Sequence, residues 1–169
     1  MAQQEFTDAI ALLKADHRTV EELFDKFENA TGKDRKQQLA EQICTELKIH
    51  SMIEEEIFYP AFRGKIDDDD LDEAYVEHDG AKVLINEIMA GGPDDEFYDA
   101  KVKVLQEEIE HHVEEEEKRG EGIFAQARDT DVDLVALRDQ MLPRKQELMQ
   151  QAEASGLPPA QTRTMETQA

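Results

Sequence analysis

Thiol chemistry is nearly absent from this chain: Cys44 is the lone cysteine in 169 residues. No intramolecular disulfide can form and no cysteine cluster can hold zinc, so any bound metal falls to histidine and carboxylate. Basic residues are scarce as well, with 19 Lys and Arg against 41 Asp and Glu and a formal charge of −22. That balance repels nucleic acid phosphates and anionic lipid headgroups, and neither is expected as a partner. Long apolar runs are missing too. Nothing approaches the roughly 18 residues a membrane helix needs, and "MAQQEFTDAIALLKADH" opens without a basic leader. The default expectation is a cytoplasmic protein, and with no clear apolar patch for self-association, a monomer.

What the sequence does have is helical periodicity, at a length that suits one domain. A first helix is predicted over 7–28, with Thr7 as N-cap and Ile10, Leu13, Val20, Phe24 and Phe27 on one stripe. A second runs over 33–62 on Leu39, Ile43, Leu47, Ile57 and Ala61, with Pro60 as a kink or stop. A third starts in the acidic run of "RGKIDDDD" and ends before "GGPDD", turning Leu71, Ala74, Tyr75, Ala81, Ile85 and Ile88 inward. A fourth, over 95–118, carries Val102, Leu105 and Ile109, and "RGEG" breaks it before "IFAQAR". A last helix over 131–154 contains Pro143. The expected fold class is all-α: an antiparallel up-down four-helix bundle with an additional C-terminal helix, one domain over 1–154, followed by a flexible tail over 155–169.

The histidines fall in phase with these stripes. His17 belongs to the series 10, 13, 17, 20, 24, 27; His50 and Glu54 to 43, 47, 50, 54, 57; His78 to 71, 74, 78, 81, 85, 88; His112 and Glu116 to 102, 105, 109, 112, 116. A single inward histidine can be satisfied by one hydrogen bond. Two ionised carboxylates in an apolar interior cost several kcal/mol each unless paired or bound to a cation, and no inward Lys or Arg is expected in those layers. Imidazole with carboxylate and no thiolate suits iron or manganese, and less specifically zinc. Two Glu and four His exceed one tetrahedral zinc but suit two ions bridged by carboxylates. Glu54 and Glu116 are read as the bridges, with His17 and His50 on one ion and His78 and His112 on the other.

"DH" at 16–17, "HSMIEEEIFYP" at 50–60, "EHD" at 77–79 and "HHVEEEE" at 111–117 resemble the four motif segments of the hemerythrin family, specifically the bacterial HHE cation-binding domains, whose pattern is H…HxxxE…H…HxxxE. The resemblance implies a four-helix bundle around a non-haem, oxo- or hydroxo-bridged di-iron centre. Such a centre binds O2 or NO or reacts with peroxide; catalase-like turnover and iron storage or a structural metal are the alternatives. Two departures from oxygen-carrying hemerythrins stand out. Lys82 occupies the position of a second histidine in the third segment, and the last carboxylate is Glu116, four residues after His112, where those proteins place an Asp five after. The missing nitrogen ligand leaves a position open and argues against simple reversible oxygen carriage.

Neighbouring residues receive plainer readings. His111 is assigned to the flank or to a place behind the inner residues, and Glu55, Glu56, Glu114 and Glu117 to a solvated face, with orienting ligands or collecting cations as the alternative. Phe58, Tyr59 and Phe62 are read as core, with Tyr59 the one candidate donor to the centre, and Cys44 as a small buried hydrophobe. A calcium loop beginning at Asp68 fails, because Glu73 stands where its glycine belongs.

Overall fold

The computed structural model describes residues 5–165. Those residues are all helical apart from connections, with no strand among them. Helix α1, Ala9–Asn29, is capped by Asp8, whose carboxylate accepts the Ala11 N–H at 2.9 Å, so the cap is one residue past the predicted Thr7. Helix α2, Lys33–Ile53, passes into a π-helical turn, Glu54–Phe58, and then a last short turn, α3, Tyr59–Phe62. Helix α4, Asp68–Ala90, begins on the Asp67 cap with three acidic residues in its first turn, which suits the helix dipole. Helices α5, Tyr98–Glu117, α6, Ile123–Arg128, and α7, Leu134–Ser155, complete the order, and α7 runs through Pro143. In space, α1 pairs with α2, α2 with α4 and α4 with α5, while α7 lies against α1 and α2.

The π turn alters the predicted second helix. Pro60 has no N–H to give the carbonyl of Glu56, and the Tyr59 N–H instead bonds back five residues to Glu54 O. One extra residue in the turn rotates the remainder of the helix about its axis. The buried stripe therefore continues through Phe58, Tyr59 and Phe62, and the predicted Ile57 and Ala61 are only partly buried. The same widening turns Glu55 inward beside Glu54.

The apolar interior is in two parts. One gathers Ile10, Leu13, Ile53, Phe58, Phe62 and Phe124 with their neighbours. The other gathers Val20, Phe24, Ile43, Leu47, Ile85 and Leu105 with theirs. Between them along every bundle helix fall the in-phase histidines and glutamates, so the core is interrupted by one polar layer. Residues 156–165, predicted to be part of a flexible tail, run along α2 and α4 with their backbone hydrogen-bonded to side chains of both. No helix among the described residues is long and apolar enough to cross a membrane.

Candidate metal centre

All six residues singled out by phase lie in the polar layer and are buried. His17 Nε2 and His50 Nε2 stand 3.2 Å apart, and so do His78 Nε2 and His112 Nε2. Glu116 reaches both pairs, with Oε1 3.3 Å from His17 Nε2 and Oε2 3.2 Å from His112 Nε2. Glu54 Oε1 faces the other member of each pair, 2.8 Å from His50 Nε2 and 3.4 Å from His78 Nε2. The ligand atoms of His17, His50 and Glu116 lie within 4.8 Å of one another, as do those of Glu54, His78 and His112.

These carboxylates fail to find ordinary partners. Among the described residues, both oxygens of Glu54 and Oε1 of Glu116 are fully buried and have no hydrogen-bond donor as long as the Nε2 atoms facing them carry no proton. A buried carboxylate without donors is costly. A cation placed among the converging nitrogens and oxygens removes that cost, and the donor set matches iron or manganese by its chemistry.

The outward nitrogens are all engaged. His17 Nδ1 donates to Glu117 at 2.7 Å, His50 Nδ1 to Asp16 at 3.0 Å, His78 Nδ1 to Glu55 at 2.8 Å and His112 Nδ1 to Glu77 at 3.0 Å. An ionised carboxylate only accepts, so the Nδ1 atoms carry protons, and in a neutral ring the Nε2 atom is left facing inward with its lone pair free for a cation. Each supporting carboxylate is adjacent in sequence to an inner residue of its own helix, yet holds a histidine of the next. Asp16 on α1 supports α2, Glu55 supports α4, Glu77 on α4 supports α5, and Glu117 on α5 returns to α1. For Glu55 and Glu117 this ring replaces the solvated face read first with the alternative, the orienting of histidines. Glu55 is 2% exposed. The signal was the acid next to each ligand in "DH", "EE", "EH" and "EE". Its meaning depends on which helix lies alongside, and periodicity within one helix does not carry that.

Cations complete the outer side: Lys145 on Asp16, Arg18 on Glu117, and Lys82 with Arg163 on Glu55. Lys82 also corrects a prediction, because it is buried in the layer that was expected to hold no inward base. Its ammonium turns away from the ligands to Glu55 and Asp79, at 2.8 and 3.4 Å. Glu56 and Glu114 are exposed as read, and Glu56 pairs with Arg144. His111 is exposed, 3.4 Å from Glu77.

The hemerythrin HHE cation binding domain family matches residues 8–119. The chain belongs to that family. Hemerythrin-like domains bind metal ions, and the His and Glu groups of this HHE domain are placed to hold them. Over 106 residues it is 29% identical to a DNA nickase of Nostoc sp. strain PCC 7120, covering 63% of this chain and 30% of that protein, so it spans under a third of that relative's length. The crystal structure of a hemerythrin HHE cation binding domain-containing protein from Mycobacterium kansasii aligns with a TM-score of 0.72 at 20% identity. That alignment covers 90% of this chain and 96% of the other, and it supports the fold.

Charges in the HHE domain are mutually adjusted. With no cation in the layer, burial lowers the affinity of His50 for a proton, but Glu54 and Asp16 outweigh it and raise the imidazole to about 10, a proton that a bound metal ion would displace. Burial and the Glu116 charge push the Glu54 carboxyl up, and His50 and His78 pull it back below its ordinary value. Tyr59 is fully buried and donates to Glu116 Oε2 at 2.5 Å, with its Oη 3.3 Å from His78 Nε2. Burial, then the charges of Glu116 and Glu54, hold its phenol well above its usual range, so it keeps its proton. The residue read mainly as core is thus also the donor beside the centre.

A cavity of about 30 Å³ touches all four histidines and is otherwise walled largely by Val20, Leu47, Ala81, Ile85, Ile109 and Val113. Gly122 turns the chain just past the end of α5. A Cβ there would stand 2.5 Å from Glu116 O and 2.6 Å from Glu115 O, so only glycine lets the chain turn against the end of α5. Cys44 is buried, and burial raises its thiol to about 12, which leaves it unreactive.

Proposed function

We propose that this HHE domain is a non-haem di-iron protein that binds or reacts with O2, NO or peroxide. Its proposed architecture is an antiparallel up-and-down four-helix bundle with a C-terminal helix, one domain over 1–154. Glu54 and Glu116 would bridge the irons, with His17 and His50 on one and His78 and His112 on the other. The observation that carries this reading is the set of buried carboxylate oxygens without donors, facing four Nε2 atoms whose rings are held from behind. Iron held there supplies redox and Lewis-acid chemistry toward small oxidants.

The chain's own residues set the conditions. Lys82 commits its ammonium to Glu55 and Asp79, so the position of the missing histidine stays open to a small ligand. The cavity of about 30 Å³ has room for a diatomic or peroxide. Its wall is largely apolar, and Tyr59 presents a proton at its Oη next to Glu116 and His78. That buried hydroxyl favours a second reading, catalase-like or peroxide-reducing turnover at the same centre. Nickase activity is not carried over from the Nostoc relative. The matched part is 30% of that protein, and a charge of −22 repels phosphates.

Elemental analysis after iron-replete expression is expected to give two irons per chain, and spectra of the reduced protein are expected to change with O2, NO or H2O2. A preparation without metal, in which His50→Ala and Glu54→Ala leave thermal stability untouched, would refute the centre. Bound iron with peroxide persisting unchanged would remove the enzymatic reading alone.

A further inference from the structure

Residues 156–165 lie beyond the stretch matched to the family, yet they are seated on the bundle by a specific set of polar contacts. Lys48 Nζ donates to Pro158 O at 3.2 Å and Lys82 Nζ to Gln161 O at 2.9 Å. Asn86 pairs with Ala160 in both directions, each bond 2.8 Å. The tightest contact is at Asp79, which is 0% exposed. Its carboxylate accepts the backbone N–H groups of Arg163, Thr164 and Met165 and the Thr164 hydroxyl. Three consecutive amides converging on one carboxylate form an anion-binding nest. Beside these donors, Lys82 at 3.4 Å is the cation on Asp79.

From that anchor Arg163 reaches toward the centre. Its Nε lies 2.6 Å from Glu55 Oε1, and Glu55 Oε2 is the acceptor for His78 Nδ1 at 2.8 Å. Ser51 and Lys82 line both the histidine cavity and a cleft of about 390 Å³ beneath the segment, so the segment backs the wall of that cavity. We propose that residues 157–165 are a strap belonging to the metal centre. Asp79 anchors it, and Arg163 is a positioning residue that acts through Glu55 on His78. Its effect on bound iron rests on the function proposed above; its seating on the bundle does not.

The test uses the full chain as wild type, Asp79→Asn, Arg163→Gln and Arg163→Lys. Lys36→Gln is the control, because its pair with Asp99 lies beside Phe27 in the distant apolar cluster. Hydrogen exchange on the metal-free protein is expected to show protected amides over 160–165, exchanging at least about tenfold faster in Asp79→Asn. In iron-loaded protein, loss of iron to a chelator is expected to speed up about tenfold or more in Arg163→Gln. Arg163→Lys should restore part of the retention, and Lys36→Gln should behave as wild type. Wild-type amides over 160–165 exchanging like a free peptide would overturn the strap, and Arg163→Gln losing iron at the wild-type rate would overturn the positioning role. A wild type that takes up no iron would refute the centre itself, with the exchange result still deciding whether the strap is seated.

Discussion

The apolar cluster around Phe24, Ile43 and Leu105 and the histidines and inner glutamates of the polar layer beside it are all buried, but they are held in opposite ways. The cluster is stabilised by removing hydrocarbon from water, an effect indifferent to pH and to metal. The layer holds four histidines, two inner glutamates and a ring of supporting carboxylates, and every one is costly there unless its partners are in place. The lesson is that burial alone says little about how a region responds to change. The cluster responds mainly to changes of side-chain volume, and the layer to changes of pH, bound metal and partner charge.

The largest expected break in this contrast is Phe24→Ala. Removing a ring that is 2% exposed should cost about 3–5 kcal/mol, by the same amount with iron present or absent, as read from urea unfolding.

A pH series sharpens the contrast from the other side. In the metal-free protein His50 is raised from 6.5 to about 10, so its stabilising contribution is complete below pH 6.5 and lost as pH rises toward 10. Glu54 and Glu116 are held below their ordinary 4.5, so their contribution is present above that value and lost as pH falls. Metal-free protein should therefore unfold at lower urea with each step from pH 6.5 to 10. Iron-loaded protein should stay flat over that window, because the ions replace the imidazole protons.

Asp16→Asn weakens one support without touching an inner residue. Losing the carboxylate behind His50 should lower metal affinity about 10–100-fold, or about 1.4–2.7 kcal/mol, measured by competition with a chelator. The smallest effect is at the far end of α1. Asp8→Ala removes the N-cap and the pair with Arg128 and should cost about 1 kcal/mol, equally with and without iron. Burial raises the Asp8 carboxyl, but the Ala11 amide and Arg128 pull it below its ordinary value, so its contribution fades as pH drops through the acid range.

Much of this was legible along the chain. The stripe of α1 runs as its spacing predicts, as do those of α4 and α5 apart from the partly buried Tyr75 and Ile109, and phase alone brought His17, His50, His78, His112, Glu54 and Glu116 to one level. Two local features escaped. The π turn at Glu54–Phe58 moved the stripe from Ile57 and Ala61 to Phe58 and Phe62, because Pro60 marks a disturbance without stating its geometry. Gly122 read as a simple break, although its need is set by the backbone of Glu115 and Glu116 folding back on it.

What the sequence determined by itself is the inner layer, because a helix repeats every 3.6 residues and any two side chains in phase with its apolar stripe must share a face. What only the tertiary structure decided is everything that crosses between elements. Asp16 supports His50 and not its neighbour His17, Lys82 turns to Glu55, and Arg163 returns from far along the chain to the same carboxylate. Those partners are chosen by which helix packs alongside and which loop passes over it, and that geometry exists only once the helices are packed.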